Sequence, residues 1–480
     1  MATLVWFRTD LRLADNPALH HAHSLGQPII PVYIWEPSEE GDWPLGGASK
    51  WWLHHSLAAL EQSLTKLGSR LTILRGPSLE TLQKLIAEHG ITHVVWNRRY
   101  EPAIIQRDER IKTTLKGQGI DAQSFNGSLL HEPWEVKTRE GKPYQVYTPM
   151  WKAYQLLDPP REPLPAPKRL NSPEKWPASV KLEELKLLPS IKWDTGFYEA
   201  WSPGEAAAQQ RLKTFVKKTV GEYKNQRDMP GIDGTSQLSP YLHFGDISPN
   251  QIWYAVQDVR ADGKPSKAFL EQSEVYLKEV VWREFAYHLL FHFPHTPTEP
   301  LRAEFKSFPW NDDNTLLRAW QRGQTGYPIV DAGMRQLWQT GWMHNRVRMI
   351  VASFLVKHLL IPWQRGAEWF WDTLVDADLA SNTLGWQWTA GCGADAAPYF
   401  RVFNPMTQGS KFDAEGAYVK RWVPELTKLP AEYVHAPWEA PPLILAEAGI
   451  ILGKTYPHPI VDHNTAREAA LAAYARMRGK

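Results

Sequence analysis

The first 130 residues alternate short, continuously apolar segments with amphipathic ones, and this alternation restricts the fold more than any other feature of the sequence. The apolar segments predict strands at 3–7, 29–35, 71–74 and 92–96. Amphipathic helices are predicted between them, at 50–67, 79–89 and 103–116. Strands that are apolar throughout and are separated by helices are typical of a parallel sheet covered on both faces. The sequence therefore predicts a doubly wound α/β domain over residues 1–130.

A proline-rich segment follows. Seven prolines lie among the 19 residues from 159 to 177, too many for a helix or a central strand. Beyond it the strand pattern almost disappears, and segments with helical periodicity are found at 205–220, 267–291, 316–321, 330–340, 345–359, 367–376 and 465–478. We therefore predict an interdomain linker over 131–200 and an all-α domain over 201–480.

The cysteine content and the charge pattern exclude several classes of protein. Cys392 is the only cysteine in 480 residues, so no intramolecular disulfide and no metal centre that needs several thiolates can form. Arg8 and Arg12 interrupt the N-terminal segment where a signal peptide needs an apolar stretch, and Lys357 interrupts the most apolar later segment. We expect a cytoplasmic protein with no membrane-spanning helix and no metal site. The net charge of +2 does not by itself indicate nucleic-acid binding.

Tryptophan is abundant: 24 of the 480 residues, with ten of them from Trp282 to Trp388. Core packing is the interpretation we prefer for most of these ten, because aromatic side chains bury large apolar areas. Indole also stacks on planar bases and flavins, and it gives up an electron readily. Composition alone leaves redox or base-stacking chemistry open.

A Gly/Thr/Ser-rich segment at 227–242 could bind phosphate. Backbone N–H groups and the hydroxyls of Thr235, Ser236 and Ser239 are suitable donors. The same residue types before an apolar segment more often cap a helix, and taken alone that interpretation is favoured.

Two later pairs of side chains lie among tryptophans. Asn345 and Met349 are four residues apart, which places them on one face of a helix. Asp376 and Asp378 could bind a metal or form an acid–base pair, but ion pairs with the nearby arginines are the commoner arrangement.

Six motifs, in order along the chain, resemble those of the DNA photolyase/cryptochrome family. They are found at 5–16, 233–240, 281–285, 325–332, 341–346 and 382–388. The resemblance covers nearly the whole chain. It implies an N-terminal domain for an antenna pigment and a C-terminal helical domain that holds FAD, with the Thr/Ser segment as the pyrophosphate-binding loop.

The resemblance assigns cofactor roles to individual residues. It implies FAD contacts from Tyr223, Thr235, Ser236, Gln237, Leu238, Ser239, Glu279, Arg283, Arg348, Asp376, Asp378 and Asn382. Arg348 would pair with Asp376 beside the isoalloxazine, Asp378 would accept from the ring edge, and Asn382 would face N5. Trp386, Trp363 and Trp310 would form an electron-transfer chain from the flavin to the surface, although without the resemblance we would interpret them as core residues.

Residues at the implied lesion site favour cyclobutane pyrimidine dimers. Asn345 and Met349 stand where family members that act on (6-4) photoproducts carry a histidine pair. Trp282 and Trp388 would flank a flipped-out dimer, while Glu279 and Asn345 would hydrogen-bond the pyrimidine edges. The implied catalytic set is Glu279, Trp282, Asn345, Met349, Asn382 and Trp388, and DNA contacts are expected from Arg227, Trp282, Asn345, Arg346, Trp388 and Arg401.

The antenna pigment is expected to be 5,10-methenyltetrahydrofolate, with a deazaflavin as the alternative. Glu36 and Glu101 would hold the pterin edge, with a contribution from Lys50 or Trp51. The two carboxylates are nearly as consistent with solvated loop residues.

The function that these residues imply is light-driven repair of ultraviolet-damaged DNA, with an electron passing from excited FADH⁻ to the dimer and returning after ring opening. A cryptochrome-type blue-light receptor without repair activity is the alternative, and a small-molecule flavoprotein oxidoreductase ranks last. Asn382 favours repair, because plant cryptochromes carry aspartate there. The segments 46–53 and 383–385 resemble the class III subgroup. We expect a monomer without a protein partner, located in the cytoplasm and associated with the nucleoid when bound to DNA.

Overall fold

A computed structural model describes residues 1–263 and 265–479. Its N-terminal part contains a parallel sheet of five strands: β1 Ala2–Phe7, β2 Ile29–Trp35, β3 Thr72–Arg75, β4 Ile91–Asn97 and β5 Asp121–Phe125. The strand order is β3-β2-β1-β4-β5, so the order reverses at β1. In such sheets, ligands bind outside the carboxyl ends of the strands near the reversal. The predicted α/β domain is confirmed.

The helices that connect these strands are α1 Pro17–Ser24, α2 Gly47–Lys66, α3 Ser78–His89 and α4 Pro102–Gly117. Asn16 begins α1, since its side chain accepts a hydrogen bond from the backbone N–H of Leu19 and Pro17 follows it. The sequence did not predict β5, because only Ala122 of its five residues is fully buried. An edge strand that pairs on one side alone does not need a continuous apolar segment.

The segment 131–200 contains two short helices, α5 Tyr147–Tyr154 and α6 Thr195–Ala200. Neither a helix nor a strand occurs over 159–177, as its prolines predict. This segment is bound to the α/β domain: the N–H of Leu164 donates to Asp15 Oδ1 at 2.9 Å, and the N–H of Leu170 donates to the Leu67 carbonyl at 3.2 Å.

The rest of the chain is helical. Its helices are α7 Glu205–Lys218, α8 Tyr223–Gln226, α9 Ser239–His243, α10 Pro249–Ala261, α11 Lys267–His292, α12 Asn314–Gln321, α13 Pro328–Thr340, α14 Asn345–Ser353, α15 Trp363–Thr373, α16 Leu379–Ala390, α17 Pro405–Phe412, α18 Ala417–Trp422, α19 Pro442–Ala448 and α20 His463–Met477. The helix predicted over 345–359 departs from α geometry at Phe354, where a π turn runs to His358. Among the residues described, no helix is both long and apolar enough to cross a membrane.

A buried carboxylate joins the α/β and helical parts. Asp246 Oδ2 accepts hydrogen bonds from Trp52 Nε1 at 2.9 Å and Ser56 Oγ at 3.0 Å on α2, and from the N–H of Gly204 at 3.3 Å. Burial raises the pKa of Asp246 to about 7. The two parts therefore share one continuous core around this group.

Candidate active site

A cavity of about 230 Å³ lies between α9, α11, α14 and the N-terminal end of α16. Its lining residues are Tyr223, Ser236, Leu238, Ser239, Leu242, His243, Tyr276, Glu279, Val280, Arg283, Arg348, Asp376, Asp378 and Ser381. The lining combines hydroxyls and apolar side chains with two arginines, three carboxylates and one histidine. Most of the residues for which the resemblance implied FAD contacts are therefore brought to one place.

Helix α11 supplies one wall. Glu279, Trp282 and Arg283 lie three and four residues apart and share a face of this helix. Arg283 Nη1 donates to the Ser128 carbonyl at 2.7 Å, so the end of the α/β domain fixes this guanidinium. Glu279 Oε1 accepts from Arg227 Nη1 at 2.5 Å, an ion pair at the rim of the cavity.

The predicted pair of Arg348 and Asp376 is present. Arg348 Nη2 donates to both carboxylate oxygens, at 3.0 and 2.8 Å, and its Nε donates to the Met343 carbonyl at 2.8 Å. The Asp376 side chain is 3% exposed and that of Arg348 is 23% exposed. Charge-assisted bonds from both ends of the guanidinium hold its plane in the cavity wall.

Asp378 lies between three elements. Its Oδ1 accepts from the N–H of Ser381 at 2.7 Å and so caps α16, while Oδ2 accepts from the Tyr287 hydroxyl. The Nδ1 atom of His243 lies 4.0 Å from Oδ2. Burial lowers the pKa of His243, which keeps its imidazole neutral near pH 7.

Asn382 follows one turn later on α16. Its Nδ2 donates to the Ala367 carbonyl at 3.1 Å. This bond uses an amide hydrogen and fixes the side chain, and it leaves the amide oxygen able to accept from a ligand. The amide is neutral whether it donates or accepts a hydrogen bond.

The 233–239 loop is shaped by close contacts. A Cβ at Gly234 would lie 2.7 Å from Gln226 Cβ, so only glycine fits there. Gln237 has a left-handed φ of 49°, and its amide bonds to Asp233 Oδ1 at 3.0 Å and to Arg211 Nη1 at 2.8 Å. The Gln237 side chain is thus held by Asp233 within the loop and by Arg211 on α7, and Gln237 is not among the residues that line the cavity.

Residues expected at the lesion lie on the helices beside the cavity. Asn345 is exposed at the start of α14, and Met349 is partly buried one turn later. Trp282 and Trp388 are both partly buried, on α11 and α16, which pack against each other. One face of the Trp282 indole is covered by the ring of Tyr147, a residue that the sequence did not indicate.

The three expected DNA-binding arginines differ in their surroundings. Arg227 is held by Glu279 as described, whereas Arg346 Nη2 lies 2.9 Å from Asp228 Oδ1 and its guanidinium lies over the Phe412 ring at 4.4 Å. Arg401 is exposed, and its carbonyl accepts from Lys357 Nζ at 2.9 Å.

The three tryptophans of the expected electron path lie on successive elements. Trp386 is buried against α15, where a Cβ at Gly366 would lie 2.0 Å from Trp386 Cη2. Trp363 is buried one turn before Gly366. Trp310 lies in a loop whose next residue donates its N–H to the Leu360 carbonyl at 2.7 Å, three residues before Trp363. Trp320, which the sequence did not single out, lies 6.2 Å from Trp386 between ring centroids.

The four expected antenna residues are not brought together. Glu36 lines a small cavity of about 30 Å³ at the carboxyl ends of the strands, and Glu101 pairs with Arg99 at 2.9 Å beside it. Lys50 and Trp51 do not line this cavity. Trp51 is 1% exposed and its indole packs between Phe197 and Tyr198, so a contribution of Trp51 to pigment binding stays a prediction.

The sequence analysis did not name five other residues that line this cavity: Leu242, His243, Tyr276, Val280 and Ser381. A signal existed for Tyr276 and Val280, which share a helix face with the predicted Glu279 and Arg283. Tyr276, Glu279, Val280 and Arg283 follow the i, i+3, i+4, i+7 pattern of a single helix face. His243 gave no signal, because its place in the wall depends on the turn at α9.

Comparisons with known proteins agree with this geometry. The family described as "FAD binding domain of DNA photolyase" matches residues 276–476, and that described as "DNA photolyase" matches residues 3–168. The chain is 53% identical to the deoxyribodipyrimidine photo-lyase of Agrobacterium fabrum, over 99% of this chain and 98% of that protein. It is 43% identical to cryptochrome-2 of Arabidopsis thaliana, over 99% of this chain and 79% of that protein.

A solved structure has the same fold throughout. The crystal structure of a bacterial class III photolyase from Agrobacterium tumefaciens superposes with a TM-score of 0.96 at 52% identity, covering 100% of this chain and 98% of that one. Sequence, fold and cavity thus lead to one conclusion: the chain belongs to the DNA photolyase family.

Proposed function

We propose that this chain repairs cyclobutane pyrimidine dimers in ultraviolet-damaged DNA by light-driven electron transfer. The observation that carries the proposal is the arrangement on α11, where a stacking indole, Trp282, and a carboxylate, Glu279, lie at the edge of a cavity suited to a flavin. The 53% identity to a protein named deoxyribodipyrimidine photo-lyase supports it.

The residues of the cavity between α9, α11, α14 and α16 fit FAD. Ser236 and Ser239 offer hydroxyls from a loop with a left-handed residue, which suits a diphosphate. The Arg348–Asp376 pair offers a rigid, planar cation for the isoalloxazine. When bound, FAD supplies an electron from its reduced, light-excited form and takes the electron back after the ring opens.

The polar groups of the wall would orient the isoalloxazine. Asp378 is anchored by Tyr287 and by the α16 backbone, so it presents a fixed acceptor to the ring edge. The amide oxygen of Asn382 would accept at N5. Because an amide does not ionise near pH 7, Asn382 holds no proton to transfer.

At the lesion side, Trp282 and Trp388 would stack on the flipped dimer, and Met349 would add an apolar contact. Glu279 and Asn345 would hydrogen-bond the pyrimidine edges. Glu279 is held by an ion pair with Arg227, which orients its carboxylate at the rim. Arg227, Arg346 and Arg401 would contact the DNA backbone, which fixes position rather than sequence.

Trp386, Trp363 and Trp310 are proposed to return oxidised flavin to the reduced state by passing an electron inward from the surface. The contact between Trp386 and α15 supports the first step. The backbone bond between the Trp310 loop and Leu360 supports the last one.

We further propose a folate antenna, 5,10-methenyltetrahydrofolate, held at the strand ends through Glu36 and Glu101, with a deazaflavin as the alternative. A class III assignment follows the likeness to the Agrobacterium tumefaciens structure. The chain would act as a monomer in the cytoplasm and would be associated with the nucleoid when it binds damaged DNA.

A second candidate is a cryptochrome-type receptor that binds FAD and responds to blue light without repair. The 43% identity to a plant cryptochrome favours it. Asn382 argues for repair instead, since the plant receptors carry an ionisable aspartate at the matching position.

Repair of a defined substrate tests the proposal. Chemically reduced protein with bound FAD is mixed with an oligonucleotide that carries one cyclobutane thymine dimer, and dimers are counted by chromatography after blue light. We expect several dimers to be lost per protein molecule, with no loss in the dark and none for a (6-4) substrate. Unchanged dimer counts with reduced FAD present would contradict repair and favour the receptor.

A further inference from the structure

The Trp282 indole has a partner outside the cavity. The ring of Tyr147 stacks on it with centroids 3.8 Å apart and planes 8° apart. Tyr147 is only 6% exposed, whereas Trp282 remains partly exposed. One face of the indole is therefore occupied by protein, and only the opposite face can accept a planar ligand.

Tyr147 is itself fixed by hydrogen bonds at both ends. Its hydroxyl donates to the Lys278 carbonyl at 2.7 Å, one turn before Trp282 on α11. Its backbone N–H donates to Asp395 Oδ2 at 3.3 Å. Phe285 meets both rings edge-on, at 5.9 Å from Tyr147 and 5.7 Å from Trp282. Phe285 thus packs against both rings of the stacked pair.

Asp395 connects this pair to the other flanking helix. The N–H of Asp395 donates to the Gln145 carbonyl at 3.1 Å, so two hydrogen bonds join this residue to the start of α5. Asp395 has a left-handed φ of 47° and lies in the loop that follows α16, the helix of Trp388. The segment around Tyr147 therefore contacts the helix of Trp282 directly and the loop beyond Trp388 through Asp395.

We propose that Tyr147 is a positioning residue for the lesion: it closes one face of Trp282, fixes the plane of the indole and, through Asp395, holds the spacing between the two flanking tryptophans. The inference rests on the proposed function. It specifies that the dimer stacks on the Trp282 face opposite Tyr147.

The physical gain is preorganisation. A tryptophan at a rim loses side-chain freedom when a ligand stacks on it, and this loss weakens binding. Tyr147 imposes that order before DNA arrives. Because a flipped dimer needs a fixed gap, whereas undamaged DNA contacts mainly phosphate-binding side chains, loss of Tyr147 should weaken the dimer complex selectively.

Three variants of the FAD-loaded protein test this. Tyr147→Ala removes the stacked ring, and Tyr147→Phe keeps the ring but loses the hydroxyl bond. Tyr154→Ala is the matched control: Tyr154 is 5% exposed on the same helix and packs on His131 at 4.8 Å. Fluorescence anisotropy gives the affinity of each for a dimer-containing oligonucleotide and for the same sequence undamaged.

We expect Tyr147→Ala to lower dimer affinity about tenfold, the size of one lost stacking contact, with undamaged DNA affected less than about twofold. Tyr147→Phe should restore the wild-type ratio of the two affinities, and Tyr154→Ala should lower stability without changing that ratio. If Tyr147→Ala releases FAD, Tyr147→Leu gives the same test with less lost volume.

A wild-type ratio in Tyr147→Ala, or an equal fall of the ratio in Tyr154→Ala, would overturn the positioning role while leaving repair intact. A wild-type protein that does not prefer the dimer at all would overturn the proposed function instead.

Discussion

Two of the cavities in this molecule, one at the strand ends and one in the helical part, differ in size and in the polar groups that line them. At the strand ends, the cavity of about 30 Å³ is lined by Arg8, Arg99 and Arg107, and each is paired within the chain. Arg99 meets two carboxylates, at 2.7 and 2.9 Å, while Arg8 and Arg107 share Asp108. These cations are already neutralised.

The cavity in the helical part, about 230 Å³, is lined by two arginines and three carboxylates together with hydroxyls and apolar side chains, and Arg348 and Asp376 form an ion pair in its wall. The helical cavity therefore offers space and hydroxyl donors to a large cofactor, whereas a ligand at the strand ends meets arginines that are already paired and must bind through shape and a few polar edges.

Replacing Arg348 in the helical cavity should cause the largest loss of FAD affinity. Arg348→Ala leaves Asp376 buried without its partner and should lower FAD affinity about 100-fold. Arg348→Lys keeps the charge but loses the planar contact, so an intermediate loss is expected. Fluorescence titration of the apoprotein with FAD measures both. Glu36→Gln at the strand ends is the comparison, with FAD binding unchanged; equal losses in both would remove the distinction between the cavities.

Photoreduction of oxidised FAD should depend on the tryptophans of the proposed electron path and not on those beside the α/β domain. Trp363→Phe should lose most of the rate at which blue light and an external reductant reduce oxidised FAD, while repair by chemically reduced protein continues. Trp371→Phe is the matched control on the same helix, because its indole contacts Trp43 at 5.4 Å, beside the α/β domain. Normal photoreduction in Trp363→Phe would contradict the path, and loss only after adding Trp320→Phe would transfer it to Trp320.

Replacing a residue at the rim of the helical cavity should weaken dimer binding without changing FAD binding. Asn345→His replaces an amide that would bind a pyrimidine edge, and about a tenfold loss of dimer affinity is expected from one lost hydrogen bond. FAD content should stay unchanged, since Asn345 is not among the lining residues. Loss of FAD together with dimer binding would show that rim and floor act as one unit.

Replacing Asp246, the carboxylate that joins the α/β and helical parts, should have the smallest effect on FAD binding and on repair. Because burial raises the pKa of Asp246 to about 7, the folded chain keeps a proton that the unfolded chain releases. The contribution of Asp246 to stability is therefore full below about pH 4 and declines as pH rises toward 7.

Asp246→Asn should remove this decline. Urea unfolding gives the free energy of unfolding at pH 5 and at pH 8. From pH 5 to pH 8, the stability of the variant relative to the wild type should rise by a few kcal/mol at most, since a tenfold change in acid constant corresponds to about 1.4 kcal/mol. FAD binding and repair should not change. A pH dependence identical to the wild type would show that Asp246 is ionised throughout.

The sequence predicted elements whose burial is continuous and missed those whose burial is local. Strands β1 and β2 are apolar along their length, whereas β5 buries Ala122 alone. The π turn at Phe354–His358 has the composition of an α-helix, so no local pattern distinguishes it.

At the site, the resemblance rather than periodicity placed Arg348 beside Asp376, and the structure contains that pair. The stack of Tyr147 on Trp282 joins residues 135 positions apart through a segment that we expected to be only a linker. Such long-range contacts depend on packing, which a single sequence does not reveal.

Gly366 has a consequence for natural variation. Even an alanine there would place its methyl carbon 2.0 Å from the Trp386 ring, so the indole or α15 would have to move. Trp386, which we propose to be the first tryptophan of the electron path, would thus be displaced by an allele that leaves all three tryptophans unchanged. A survey of genomes that checks only for those tryptophans would count such a gene as photoreducible, and Gly366 belongs in the same test.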